Sequence, residues 1–255
     1  MPDTNHDLYY RELLESPSPS FTEEQVLAFA DQRYGLTGEL SPMDSERDQN
    51  FRIRTETGDL YVIKIANSAE DPAVIDMQLK ALEYIALVDP RLPVPEALLS
   101  CKGRSIEQIQ AENGGYHEVR ILTYLPGDFP KDDPTDIRLN RPMGASLGRL
   151  TRALRGFFHP HANYDLLWDL KHTPKLRQFL PLITDPDGRE LAAYFLDRFD
   201  QHVKPQIPRL RAQIVHNDLS PDNILVAEND AGHIVGIIDF GDITHTLSLI
   251  HISEP

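Results

Sequence analysis

The sequence holds 255 residues, 40% apolar and 25% charged, enough to bury a core as one large domain or two small ones. A formal net charge of −15 speaks against generic binding of nucleic acid or of an anionic membrane, both polyanions, but not against a nucleotide whose phosphates meet one lysine and a metal ion. Cys101 is the single cysteine, which excludes an intrachain disulfide framework; no apolar run spans a bilayer, and residues 1–7 lack a secretory signal, so the expected location is cytoplasmic.

In chain order, Ser16-Pro17-Ser18-Pro19-Ser20 reads as a turn-rich linker. Thr22-Glu23-Glu24-Gln25 has the capping-box pattern and predicts a helix that stops near Gly35. Residues 51–66 predict a β-hairpin: Phe51 and Ile53 alternate with Arg52 and Arg54, residues 55–59 turn, and the strand resumes at Leu60. Asp71-Pro72 supplies a cap and a first-turn proline, after which Ile75, Leu79, Leu82 and Ala86 follow at helical spacing. Strands are expected near 96–99 and over 117–125, where Pro126-Gly127 breaks the run. Beyond it Met143, Leu147, Leu150, Leu154 and Phe157 form one helical stripe, and a second helix is expected over 187–202. A sheet-rich first part thus precedes a helix-rich second part, an α+β chain of two lobes with its boundary near 122–127.

The segment Ile214-Val215-His216-Asn217-Asp218-Leu219-Ser220-Pro221-Asp222-Asn223-Ile224-Leu225-Val226 brings an apolar strand into a polar loop and out again. A second apolar run then ends at Asp239-Phe240-Gly241-Asp242. Two buried strands would present Asp218, Asn223 and Asp239 at neighbouring loop positions. Phosphoryl transfer from magnesium-ATP needs such a set: a carboxylate for the attacking hydroxyl and hard oxygen ligands for Mg²⁺.

This arrangement resembles the catalytic and metal loops of the protein-kinase-like superfamily, H-x-D-x-x-x-x-N followed by D-F-G. His216, Asp218 and Asn223 match the first and Asp239-Phe240-Gly241 the second. No basic residue stands two places after Asp218, which points to the small-molecule branch, the aminoglycoside phosphotransferase and choline kinase-like family. The resemblance implies a two-lobed protein-kinase-like fold, ATP and Mg²⁺ as cofactors, Asp218 as catalytic base, Asn223 and Asp239 as metal ligands, and a structural His216. Lys64 lies inside an apolar strand, where a charge is costly unless it meets an anion. The resemblance makes it the contact to the α- and β-phosphates, paired with a helix glutamate; the alternative is an edge-strand lysine facing water. The partner position aligns with Gln78, which can hydrogen-bond Lys64 without neutralising it, and Asp76 or Glu83 could serve instead. A glycine-rich phosphate loop is absent. The corresponding turn, Ser45-Glu46-Arg47-Asp48-Gln49-Asn50, offers backbone amides and the Ser45 and Asn50 side chains to phosphate, with Arg47 either joining them or facing solvent.

That turn, with Leu147-Gly148-Arg149-Leu150, Gly156-Phe157-Phe158-His159-Pro160, Leu167-Trp168-Asp169-Leu170 and Phe240-Gly241-Asp242-Ile243-Thr244-His245-Thr246, is similar to hydroxylysine-kinase-like phosphotransferases, stand-alone or fused to class-III aminotransferases. The similarity implies a small amino compound with a hydroxyl as acceptor, such as hydroxylysine, homoserine or a related amino alcohol. Asp222, Asp242 and Trp168 are candidates for recognising its cation, each equally readable as structural. The last nine residues, from Leu247 to Pro255, resemble a translated sequencing-library adaptor. The expected organisation is therefore a nucleotide-binding first lobe over 1–124, a helical lobe over 125–246 cut short, and a non-native tail over 247–255. The rival function is a non-catalytic nucleotide-binding or scaffold module of a larger fused protein. A protein kinase is disfavoured because no activation segment follows the metal loop. Oligomeric state leaves no signal in the sequence.

Overall fold

The computed structural model describes residues 16–130 and 138–248. Helix α1 (Glu23–Tyr34) begins as expected: the Thr22 hydroxyl accepts from the Gln25 amide at 3.2 Å, and Gln25 Oε1 accepts from the Thr22 amide at 2.8 Å. It ends at Gly35, whose φ of 66° lies in the left-handed region. Val26, Phe29, Ala30 and Tyr34 turn inward onto an antiparallel sheet.

That sheet has the order β1-β2-β3-β5-β4, with β1 Gly38–Met43, β2 Gln49–Thr55, β3 Leu60–Ile65, β4 Glu107–Gln110 and β5 Tyr116–Thr123. The expected hairpin is β2–β3, with Phe51 opposite Ile63. Because side chains alternate along a strand, Phe51, Ile53, Ile63, Ile65, Val119 and Ile121 share the face packed against α1. The same alternation sends Asn50, Lys64 and Arg120 to the opposite face, in register across the three central strands. The two edge strands escape sequence reading. Strand β1 carries Pro42, tolerable where one side is unpaired, and β4 is the mostly polar Glu-Gln-Ile-Gln. Residues 96–99, expected as a strand, pair with β5 over a short length, through the bridge of Ala97 to Leu122, the Leu98 amide to the Ile121 carbonyl and the Thr123 amide to the Glu96 carbonyl; Pro93 and Pro95 just before lack the amide hydrogens that would extend the ladder.

Helix α2 (Pro72–Val88) starts where Asp71 caps the Ala73 amide at 2.9 Å. Its buried Met77, Leu82 and Ile85 share a second hydrophobic cluster with Leu150 and Leu154 from and just past α3 (Asn140–Ala153), and with Ile214, Ile237 and Phe240. The predicted stripe 143–157 is thus helical to Ala153 and closes in a single 3₁₀ turn, Leu154–Gly156. A long 3₁₀ stretch, Leu170–Leu182, precedes α4 (Pro186–Arg198), which widens into a π-helical turn, Phe199–Val203. Two short antiparallel pairs complete the molecule: β6 (Ala212–Val215) with β9 (Thr244–Leu247), and β7 (Ile224–Ala227) with β8 (Asp230–Ile237). Gly127, at the predicted lobe boundary, has φ 142°, and an added Cβ would meet the Val226 carbonyl oxygen at 2.9 Å, so the crossing segment lies tight against β7.

Of the stretch read as foreign, Leu247 pairs with Ala212 and the Ser248 amide donates to the Arg211 carbonyl at 2.8 Å; residues 249–255 lie outside the described residues. Apolar side chains of α4 and the 3₁₀ stretch, Leu176, Phe179 and Phe195 among them, line a groove of about 710 Å³. No described helix is long and apolar enough to cross a membrane.

Candidate active site

The loop between β6 and β7 is anchored by His216, 1% exposed, whose Nε2 hydrogen-bonds the Ile238 carbonyl at 3.0 Å. Burial pushes its imidazole below the ordinary 6.5, against the opposing pull of the Ile238 carbonyl and of Asp239 and Asp218. A neutral ring with hydrogen on Nε2 therefore ties this loop to the one that follows β8, and Phe240 packs edge-on against it at 4.7 Å. Asn217 and Asp239 take left-handed backbone conformations, φ 70° and 57°, on either side of this link.

Asn223 closes a single 3₁₀ turn, Pro221–Asn223. Its Nδ2 donates to the Asp218 carbonyl at 2.8 Å and to Asp218 Oδ2 at 2.7 Å, so its amide oxygen is the atom left to ligate. Asp239 Oδ1 accepts from the Gly241 amide at 3.2 Å and lies 4.0 Å from Lys64 Nζ. Desolvation raises the Asp239 carboxyl, but the Lys64 ammonium, the Gly241 amide and the Arg120 guanidinium together hold it below its ordinary value, and it is ionised at neutral pH.

Lys64, Asp218, Asn223 and Asp239 line one cleft of about 1030 Å³ between the five-stranded sheet and the two loops, and Ser45 and Asn50 line it too. Gln78 does not. It is 3% exposed, its Nε2 donates to Glu70 Oε1 at 3.2 Å and the Gly241 carbonyl at 3.3 Å, and its Oε1 receives no hydrogen bond from Lys64. The two alternatives are placed elsewhere as well: Asp76 pairs with His159 at 3.2 Å, and Glu83 is exposed on α2. All three acceptor candidates, Asp222, Asp242 and Trp168, reach the cleft. Trp168 Nε1 donates to Asp242 Oδ2 at 2.7 Å, and Arg47 lines the cleft as well, 6.0 Å from the Trp168 ring centre. Burial raises the Asp242 carboxyl, only partly offset by Trp168 and Arg47.

Sequence reading missed Arg120, Asp48 and Glu70, which also line the cleft. The cue was present for the first: Arg120, between Val119 and Ile121, interrupts an apolar strand as Lys64 does. Eight carboxylate side chains line the cleft against three cationic ones, an excess that favours metal cations and a positively charged ligand. Among the described residues no three His, Cys, Asp or Glu side chains form a ready-made ion site. The expected ligands, one amide and one carboxylate oxygen, are nonetheless hard donors of the kind Mg²⁺ takes when phosphate and water complete its shell.

An antiparallel sheet bearing a lysine, facing a histidine-anchored Asp–Asn loop and an Asp-Phe-Gly loop, defines the protein-kinase-like class of phosphotransferase folds. The sequence matches the phosphotransferase enzyme family over residues 39–247, and the chain belongs to that family. It is similar to hydroxylysine kinase of Mus musculus, 28% identical over 253 residues that cover 90% of this chain and 67% of the relative. Its backbone is similar to that of amicoumacin kinase hAmiN in complex with AMP-PNP and Ca²⁺, with a TM-score of 0.69, 19% identity and coverage of 89% and 66% of the two chains. The microcompartment-associated aminopropanol kinase gives 0.66, 18%, 88% and 70%. The chain thus spans about two thirds of the length of these proteins.

Proposed function

We propose that the protein is an ATP-dependent small-molecule kinase that moves the γ-phosphoryl group to a hydroxyl of a small amino compound, in the manner of hydroxylysine, homoserine or amino-alcohol kinases. One observation carries the reading: Lys64, Asp218, Asn223 and Asp239 face a single cleft. Lys64 holds the phosphates. Asn223 and Asp239 hold Mg²⁺, which when bound neutralises phosphate charge. Asp218, fixed by two hydrogen bonds from Asn223, orients the acceptor hydroxyl and takes its proton as the oxygen bonds to phosphorus and ADP leaves in line. The carboxylate excess of the cleft suits an ammonium-bearing acceptor, with Asp222, Asp242 and Trp168 as its nearest candidates.

One observation favours the non-catalytic alternative: Lys64 pairs with Asp239 and with no carboxylate of α2, where the partner position is the neutral Gln78 and Asp76 pairs with His159. An ATP-consumption screen over amino alcohols separates the two. The kinase reading expects turnover with at least one acceptor and a loss of roughly 10²- to 10⁴-fold in Asp218→Asn. Tight ATP binding without consumption across the panel supports the alternative.

A further inference from the structure

We infer that Arg120 is a second phosphate-binding side chain of this cleft, presented by β5 beside Lys64. The inference deepens the nucleotide reading above and rests on it.

Arg120 stands directly opposite Lys64 in the β3–β5 ladder, on the sheet face turned away from α1. It is only 4% exposed, yet it lines the cleft. One arm of its guanidinium is committed: Nη2 pairs with Asp48 Oδ2 at 3.4 Å. Asp48 is itself held from behind, its Oδ1 accepting the Asn67 amide at 3.2 Å. The other arm, Nη1, is buried and has no hydrogen-bond partner among the described residues. A buried charged donor left unpaired is costly, and native proteins rarely leave one so without a ligand or an ordered water to take it. Asn50, opposite Lys64 on the other side, also buries an unpartnered polar atom, its Oδ1. Of the two, only Arg120 offers an unmet donor to an oxyanion; the Asn50 oxygen is an acceptor and suits the Lys64 ammonium or a cation.

The ligand chemistry follows from the group. A guanidinium with one edge fixed offers the remaining N–H directions to a tetrahedral or planar oxyanion, and phosphate is the oxyanion a lysine-bearing cleft collects. The Asp48–Arg120 pair also ties the last residue of the β1–β2 connection to the sheet floor.

The experiment is a calorimetric titration of the full chain with magnesium-ATP, adenosine and inorganic tripolyphosphate, in the unsubstituted protein, Arg120→Gln, Arg120→Lys and Asp48→Asn, each checked for its melting transition. Direct phosphate contact expects Arg120→Gln to weaken ATP and tripolyphosphate by about tenfold or more while adenosine is unchanged. Arg120→Lys recovers part of that loss, and Asp48→Asn, which keeps the guanidinium, loses less. Equal losses in Asp48→Asn and Arg120→Gln, with adenosine weakened alongside, overturn the inference and leave Arg120 a loop clamp. Unchanged affinities overturn it too. Should Arg120→Gln fail to fold, Arg120→Lys decides: a tripolyphosphate loss without an adenosine loss upholds the contact, and parallel losses or none reject it. Should the unsubstituted chain take tripolyphosphate in an Arg120-dependent way but not ATP, the phosphate site stands and the nucleotide reading falls. Binding of neither removes both.

Discussion

Asp242 sits where four influences meet: partial burial, the Trp168 indole hydrogen bond, the Arg47 guanidinium and the nearby carboxylates of Asp218 and Asp239. Its carboxyl is raised above the ordinary 3.8, chiefly by burial. A group raised in the folded state contributes stability below its unfolded value and loses it as pH climbs through the folded one, so ionised Asp242 weakens the fold at neutral pH. Asp242→Asn, whose amide oxygen can still accept from Trp168, is expected to raise the melting temperature at pH 7, with the gain shrinking as pH falls toward 3.8. A gain independent of pH would contradict this. His216 presents the opposite case of a residue whose role is set by position: neutral and buried, it joins two loops and does not touch the cleft. Its neighbours Asp218 and Asn223 were legible from their spacing because both stand in one loop. Gln78 was misplaced because its partners, Glu70 eight positions before it and Gly241 163 after, follow from no local pattern.

At the scale of elements, α2 does more than fill the sheet's flank. Its C-terminal cap, Asp89, receives Arg149 of α3 through contacts of 2.8, 2.9 and 3.1 Å, and its second turn holds His159 through Asp76. The Arg149 hydrogen bonds depress the Asp89 carboxyl, and a depressed carboxyl contributes stability above its unfolded value that is lost as acid protonates it. Arg149 is 38% exposed on its side chain, so solvent screens the pair. Arg149→Met is expected to lower stability by about 1 kcal/mol at neutral pH in a denaturant titration, and by less in high salt or below the carboxylate range. The Arg149 and His159 segments were read in the sequence as subgroup motifs. Their partners on α2, 60 and 83 positions away, give those motifs a packing reason.

In the whole molecule, one hydrophobic cluster joins α1 to the sheet, while the other joins α2 to α3, β6 and β8. The cleft carrying the candidate site lies between these bodies, with walls drawn from both. A ligand that touches both walls stabilises the whole. Magnesium-ATP at a hundred times its dissociation constant is expected to add about 2.7 kcal/mol, read as a rise in melting temperature. Chelation by EDTA should remove most of that rise if Asn223 and Asp239 act through a divalent ion, and an EDTA-insensitive shift would speak against them as ligands.

Capping at Thr22 and Asp71, the Phe51–Ile65 hairpin, the spacing of Asp218 and Asn223 and the Asp239-Phe240-Gly241 run could all be read by eye, since each is a pattern contained within some fifteen residues. Tertiary structure alone decided the edge strands β1 and β4, the diversion of Gln78, the Arg47–Trp168–Asp242 chain and the union of Asp48 with Arg120, 72 residues apart. The reason is physical. A period or a cap is written into neighbouring residues, whereas which charges share a cleft depends on how the strands pair and the elements pack.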